Sequence, residues 1–225
     1  IKLLDKHGAD LIEIGIPFSD TVAEGPVIQK KNKKALKNGI NLSMIFEQLK
    51  DIREITEIPL ILMGYINPIY KMGVEKFLNL CKDTGIDGVI IPDLPLEEYK
   101  NRYKKYFLQE GIYNILLISP QTPEDRIRKI DNESRGFIYM VSSYATTGAK
   151  DEFSEKQKDY FRRIKAMNLK NPCLVGFGVS NYTTYSSACE FAAGAIVGSA
   201  FIRALDQDKS LDEKVTDFIA TIRGN

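Results

Sequence analysis

Short aliphatic and β-branched runs alternate along this chain with longer stretches whose apolar positions return every three or four residues. The runs fall at 11–15, 59–65, 88–92, 114–119, 137–142, 172–177 and 195–198. They are continuous rather than alternating, which predicts strands covered on both faces, as in a parallel sheet. Helical spacing marks 27–37, 43–55, 71–84, 96–110, 123–132, 153–167, 181–192 and 200–222, and residues 1–7 read as the last turns of a further helix. Ser43 is a candidate cap for the helix after it, and Pro123 suits a first helical turn. Gly8, Gly85 and Gly111 stand where helices should stop.

Strand–helix alternation without hairpin signals predicts a parallel sheet, closed as a barrel or open and doubly wound. The open dinucleotide-binding sheet wants GxGxxG directly after its first strand, and GIPFSD after the first run here is unlike it. Glycine-rich turns come late instead, at Gly176–Phe177–Gly178 and Gly198–Ser199, where barrels commonly hold phosphate. The expected fold is therefore an α/β TIM (βα)8 barrel. Seven strands are visible where eight close a barrel, so the first strand and most of its helix are expected to be missing from this chain, leaving strands two to eight. With no linker or composition break, residues 1–225 are expected to form a single barrel domain, incomplete at its N-terminus.

Composition removes several function classes. The 225 residues are 44% hydrophobic and 27% charged with a net charge of +1, which describes a soluble globular chain without a strongly basic balance for nucleic acid. The run Lys30-Lys31-Asn32-Lys33-Lys34 reads as the wet face of a helix. No apolar run reaches the ~20 residues of a membrane span, and IKLLDKHGAD lacks the features of a signal peptide. Cys81, Cys173 and Cys189 are far apart, as expected of reduced core thiols in a cytoplasmic protein. His7 is the single histidine and sits at a helix end, so neither a zinc site nor a Ser-His-Asp triad is expected. Carboxylates remain as the acid–base candidates.

The stretch DLIEIGIPFSDTVAEGP holds two of them. Glu13 lies inside an apolar strand, where a carboxylate must be paired, desolvated or working. Glu24 lies in the loop that follows. An acid at a strand end with a second in the next loop is where barrel enzymes place chemistry, and burial should raise the Glu13 pKa. The plainer alternative pairs Glu13 with a barrel Lys or Arg and leaves Glu24 a solvated charge. In LVGFGVSN and AIVGSAFIRAL, strands run into glycines and then into helices, the first of these capped by Ser180. Free N–H groups and a helix dipole there suit an anion, although tight strand-to-helix turns need no ligand. The polar segment 142–150 reads as a lid, with Thr147 and Gly148 candidates to reach the acidic loop and the phosphate.

Taken in order, ADLIEIGIPFSD, AEGPVIQ, GYINPIYKMGVEKF, GIDGVIIPDLPLEE, GFIYMVSS, TTGAK, VGFGVS and AIVGSAFI resemble the tryptophan synthase alpha subunit along nearly the whole chain. The resemblance implies a (βα)8 barrel that cleaves indole-3-glycerol phosphate to indole and glyceraldehyde 3-phosphate. It implies an alpha2beta2 heterotetramer in which the beta subunit carries pyridoxal phosphate and receives the indole, with no cofactor or metal in this subunit. It places the catalytic carboxylates on Glu13 and Glu24 and the phosphate cradle on Gly148, Gly178, Gly198 and Ser199, with Phe177 nearby. Thr147 becomes the lid threonine, and Tyr65, Ile90 and Tyr139 line the indole pocket. The beta-subunit face falls on Pro17, Phe18, Asp20 and the Asn67-Pro68-Ile69-Tyr70 segment.

Three departures from the family pattern stand out. Glu24 replaces an Asp and is one methylene longer, a reach of about 1 Å that is enough to alter rate. Thr21 replaces a Pro, which loosens the acidic loop. The lid reads SSYATTGA where the family often has Arg after its first Ser. A weakly active or inactive alpha-like subunit that acts mainly as an allosteric partner is therefore the alternative, and a phosphosugar isomerase barrel of histidine or tryptophan biosynthesis is a third reading.

Overall fold

A computed structural model describes residues 1–21, 24–142 and 152–224. All seven expected strands form: β1 (Ile12–Gly15), β2 (Leu60–Met63), β3 (Gly88–Ile90), β4 (Tyr113–Ile118), β5 (Ile138–Val141), β6 (Cys173–Gly176) and β7 (Gly194–Ile196). Every neighbouring pair is parallel, and the spatial order is the chain order. The chain resolves into two compact units, Ile1–Ala23 with Gln29–Ile115, and Glu24–Ile28 with Leu116–Asn225, whose boundary falls within β4.

The first unit opens with α1 (Lys2–Lys6), closed by Gly8 at φ 86°, and continues after β1 into α2 (Pro26–Lys37) and α3 (Leu42–Leu49). Asn41, not Ser43, caps α3: its side chain accepts the Met44 N–H at 3.1 Å, and Ser43 lies inside the first turn. A single 3-10 turn, Ile52–Glu54, replaces the predicted continuation to residue 55. The stretch expected as one helix from 71 is two, α4 (Ile66–Met72) and α5 (Val74–Asp83), separated by Gly73 at φ 93°. Pro68 is tolerated because it stands in the first turn of α4, where no intrahelical N–H is required. The 96–110 stretch forms as α6 (Leu96–Glu98), a π-helical turn at Tyr99–Tyr103 and α7 (Lys104–Glu110), which ends on left-handed Gly111. The core holds fully buried Leu60, Leu62, Ile69, Phe77, Leu78 and Val89.

In the second unit, α8 (Glu124–Glu133) begins after Pro123, and α9 (Glu155–Ala166) begins on the Ser154–Gln157 capping box. The helix α10 (Tyr182–Cys189) is capped by Asn181 rather than Ser180, since the Asn181 side chain accepts the Thr184 N–H at 2.9 Å. The predicted 200–222 helix is divided into α11 (Ser199–Leu205) and α12 (Leu211–Arg223), because Ser210 and Glu213 form a second start. Ile127, Ile138, Met140, Phe161, Val175 and Ala188 are buried at its core. All three cysteines are free, but only Cys81 is a core residue; Cys173 is half-buried and Cys189 exposed.

The strand entrances are held by ionic side chains that bind backbone. In the first unit the Arg53 guanidinium donates to the carbonyls of Gly85 (2.9 Å) and Ile58 (2.8 Å), and Asp87 accepts the Leu60 N–H at 2.8 Å. In the second, buried Asp131 accepts the N–H groups of Lys170 (2.9 Å) and Asn171 (3.0 Å) and the Asn171 side-chain amide (2.9 Å). Burial opposes its charge, but those three hydrogen bonds and the Lys170 charge outweigh it, so the carboxyl titrates below its ordinary value. A lowered native pKa stabilises above the unfolded value, near 3.9, and that contribution is lost as pH falls through the native one. Asp131→Asn should therefore destabilise by about 2 kcal/mol at pH 7 and flatten the acid limb of a melting-temperature profile below about pH 4; a mutant profile parallel to the parent's would refute this.

Candidate active site

Parallel pairing levels the strand ends. In the first unit Gly15 pairs with Met63 and Met63 with Ile90, while Ile16 N–H and Gly64 N–H extend the ladder to the Met63 and Ile90 carbonyls at 2.7 and 3.0 Å. Glu13 sits two residues before that level, opposite Ile61. It is half-buried, and its Oε2 is shielded from solvent. Beyond the ends come Tyr65 and Phe18, whose rings stack at 5.1 Å, and fully buried Ile90 closes β3. Ile90, level with Gly15, and Tyr65, 2% exposed and beyond the strand ends, are therefore buried residues past the level of Glu13.

The residues expected at a partner face divide. Asn67 and Asp20 are exposed, Tyr70 is 69% exposed, and Pro17, Phe18 and Pro68 are half-buried. Ile69 points into the core instead, fully buried, because it occupies the inner position of α4. A residue the sequence did not single out orients this helix: Asp93 accepts the Ile66 N–H at 2.9 Å, capping α4 from the loop after β3. The available signal was a short acid just past a strand, in IIPDLP.

In the second unit Val141 pairs with Gly176 and Gly176 with Ile196. Gly178 and Gly198 each lie two residues beyond that level, so both glycine turns leave the same strand ends, and both are exposed. Gly178 takes φ 77° and Phe177 takes φ 68°, a left-handed pair. Gly198 precedes α11, of which Ser199 is the first residue. Ile28, at the start of α2 and four residues past half-buried Glu24, approaches within 3.5 Å of where a Gly198 side chain would begin. The first turn of α2 thus packs with the second glycine turn. Tyr139 is 4% exposed and meets the Phe177 ring edge-on at 6.2 Å. Its own ring fills the space a Gly176 side chain would need. Thr147 and Gly148 lie outside the described residues.

The first unit holds apolar residues and an acid near a strand end, and the second holds paired glycine turns and a second acid. The class is given by solved structures: the tryptophan synthase complex of Pyrococcus furiosus contains a chain similar at TM-score 0.88 and 36% identity, covering 99% of this chain and 89% of that one. The tryptophan synthase alpha chain of Legionella pneumophila gives 0.86 and 34%, over 99% and 82%. Strand order and these likenesses define a TIM-barrel protein. The family model described as tryptophan synthase alpha chain matches residues 1–224. The tryptophan synthase alpha chain of Bacteroides thetaiotaomicron is 51% identical over 215 residues, 96% of this chain and 84% of that protein, and that of Christiangramia forsetii is 54% identical over 205. The chain belongs to the tryptophan synthase alpha chain family.

The Tyr139–Gly176 fit yields a test. Gly176→Ala would force the Tyr139 ring from its place against β6, and overpacking of this kind costs about 1–3 kcal/mol. Both melting temperature and turnover should fall; an unchanged turnover would show that the ring's place does not matter.

Proposed function

We propose that the chain cleaves indole-3-glycerol phosphate by a retro-aldol reaction, releasing indole and glyceraldehyde 3-phosphate, as the alpha subunit of tryptophan synthase. The observation that supports it most is Glu13: a carboxylate held by parallel pairing near a strand end, partly buried and close to apolar residues. In this reading a proton is delivered to the indole ring carbon C3, the bond from that carbon to the glycerol chain breaks, and the adjacent glycerol hydroxyl loses its proton as the aldehyde forms. Glu13 shuttles that proton, and its position inside a strand fixes its reach. Glu24 accepts the indole N–H and offsets the positive charge that develops on the ring. Tyr65, Ile90 and Tyr139 pack the ring.

The phosphate is held by backbone N–H groups of Gly178, Gly198 and Ser199, beside Phe177; the family resemblance adds Gly148 and Thr147, which lie outside the described residues. Pro17, Phe18, Asp20, Asn67, Pro68 and Tyr70 form the face toward a pyridoxal-phosphate beta subunit. This subunit carries no cofactor of its own, residues 1–225 act as one domain, and the complex works in the cytoplasm. Among the described residues no helix is long and apolar enough to cross a membrane.

Incubation with indole-3-glycerol phosphate, with and without beta subunit, should release indole. Glu13→Gln should cut that release by about 10²–10⁴-fold while melting temperature and phosphate affinity stay near the parent's; comparable turnover would remove Glu13 from the chemistry. Glu24→Asp, which draws the carboxylate back by one methylene, should raise turnover by up to about 10²-fold. A parent already brisk and a variant no faster would show that the longer side chain is accommodated, and would dismiss the weakly active, mainly allosteric alternative.

A further inference from the structure

The turn after β6 holds a conformation that its sequence alone does not favour. Phe177 carries a side chain at φ 68°, a region that costs a residue with a Cβ about 1–2 kcal/mol. What holds it lies across the strand pair. Ser142, 1% exposed at the end of β5, donates its hydroxyl to the Phe177 carbonyl at 2.6 Å. Ser142 is itself fixed by two further bonds: its N–H donates to the Gly176 carbonyl at 3.0 Å, and its carbonyl accepts from the Gln157 side chain at 3.4 Å. Gln157 is a member of the capping box that starts α9. The hydroxyl therefore projects from an anchored backbone.

A planar trans peptide ties the Phe177 carbonyl to the Gly178 N–H, which points the opposite way. Fixing that oxygen with one short bond fixes the direction of the amide. Gly178 donates to no described residue, and it is exposed while Ser142 is buried. The carbonyl is turned in toward the hydroxyl, so the N–H is turned out. We propose that Ser142 is a positioning residue for the phosphate group: through the Phe177 carbonyl it aims the Gly178 amide at the substrate's phosphate. This rests on the phosphate reading given above, and assigns the orientation of one of its donors to a side chain that never touches the ligand. A purely structural hydroxyl would contribute to stability and leave anion affinity alone.

Inorganic phosphate is the probe. In calorimetric titrations Ser142→Ala should bind it about tenfold more weakly than the parent, and with indole-3-glycerol phosphate its KM should rise similarly while kcat stays within about twofold, the pattern of lost uniform binding. Asp131→Asn, destabilised elsewhere in the same unit, serves as control and should keep the parent's phosphate affinity. In the parent protein the Gly178 amide proton should move on phosphate addition, a readout that does not depend on the variant folding. A parent that takes up no phosphate would overturn the phosphate reading and this inference together. A parent that binds it, with Ser142→Ala binding equally well or with the Gly178 amide unmoved at saturation, would overturn this inference alone.

Discussion

Because every strand pair runs parallel, each strand hands its chain to a helix at the same end, and within each unit the strand-to-helix loops leave from that end. The registers make this concrete. Gly15, Met63 and Ile90 stand level in the first unit, and Val141, Gly176 and Ile196 in the second. Glu13 is placed by backbone hydrogen bonds rather than by a loop, so its distance from the strand end cannot drift. A slip of one residue would turn it to the opposite face of the sheet together with every apolar neighbour on its strand. The heavily buried residues of β2 and β3 make that slip costly.

The other ends of the strands are organised differently. Arg53 and Asp131 both spend their charge on backbone groups at strand entrances. The Arg53–Asp87 ion pair is itself 28% and 46% exposed, so its coulombic part contributes little. The larger effect is that carbonyls of Gly85 and Ile58, and N–H groups of Lys170 and Asn171, have partners they would otherwise lack. Entrances fixed in this way leave the exit loops free to take conformations that the strands do not impose, including the left-handed Phe177.

What could be read in the sequence follows the same division. Continuous aliphatic runs marked the seven strands, most clearly β2 and β3, which are buried on both faces, and Glu13 was conspicuous because a carboxylate in such a run is costly. Helix boundaries were harder to place where several short polar residues compete. Asn41 against Ser43 and Asn181 against Ser180 are decided by which side chain meets the N–H three residues on, a geometric matter. Pro68 hid α4 because proline suits both a loop and a first helical turn. Ser210 with Glu213 was a readable second start inside the 200–222 stretch, masked by apolar spacing that runs through it. Ser142 was read only as the first residue of the polar 142–150 segment, whereas it is buried, and its partner is a backbone carbonyl 35 residues away.

The strand period explains how one short segment packs differently on its two faces. On β5, Ile138 and Met140 are fully buried on one face, while Tyr139 turns to the other and occupies the space that Gly176 leaves on β6. Gly176 gives up the packing of a side chain, and Phe177 holds an unfavourable backbone angle next to it. Both losses lie on or just beyond the strand end, and Val175, fully buried on the opposite face, anchors the strand against them. Adjacent residues of β6 therefore serve opposite faces, so that the Gly176 side can give up a side chain and border a strained turn without loosening the core behind Val175.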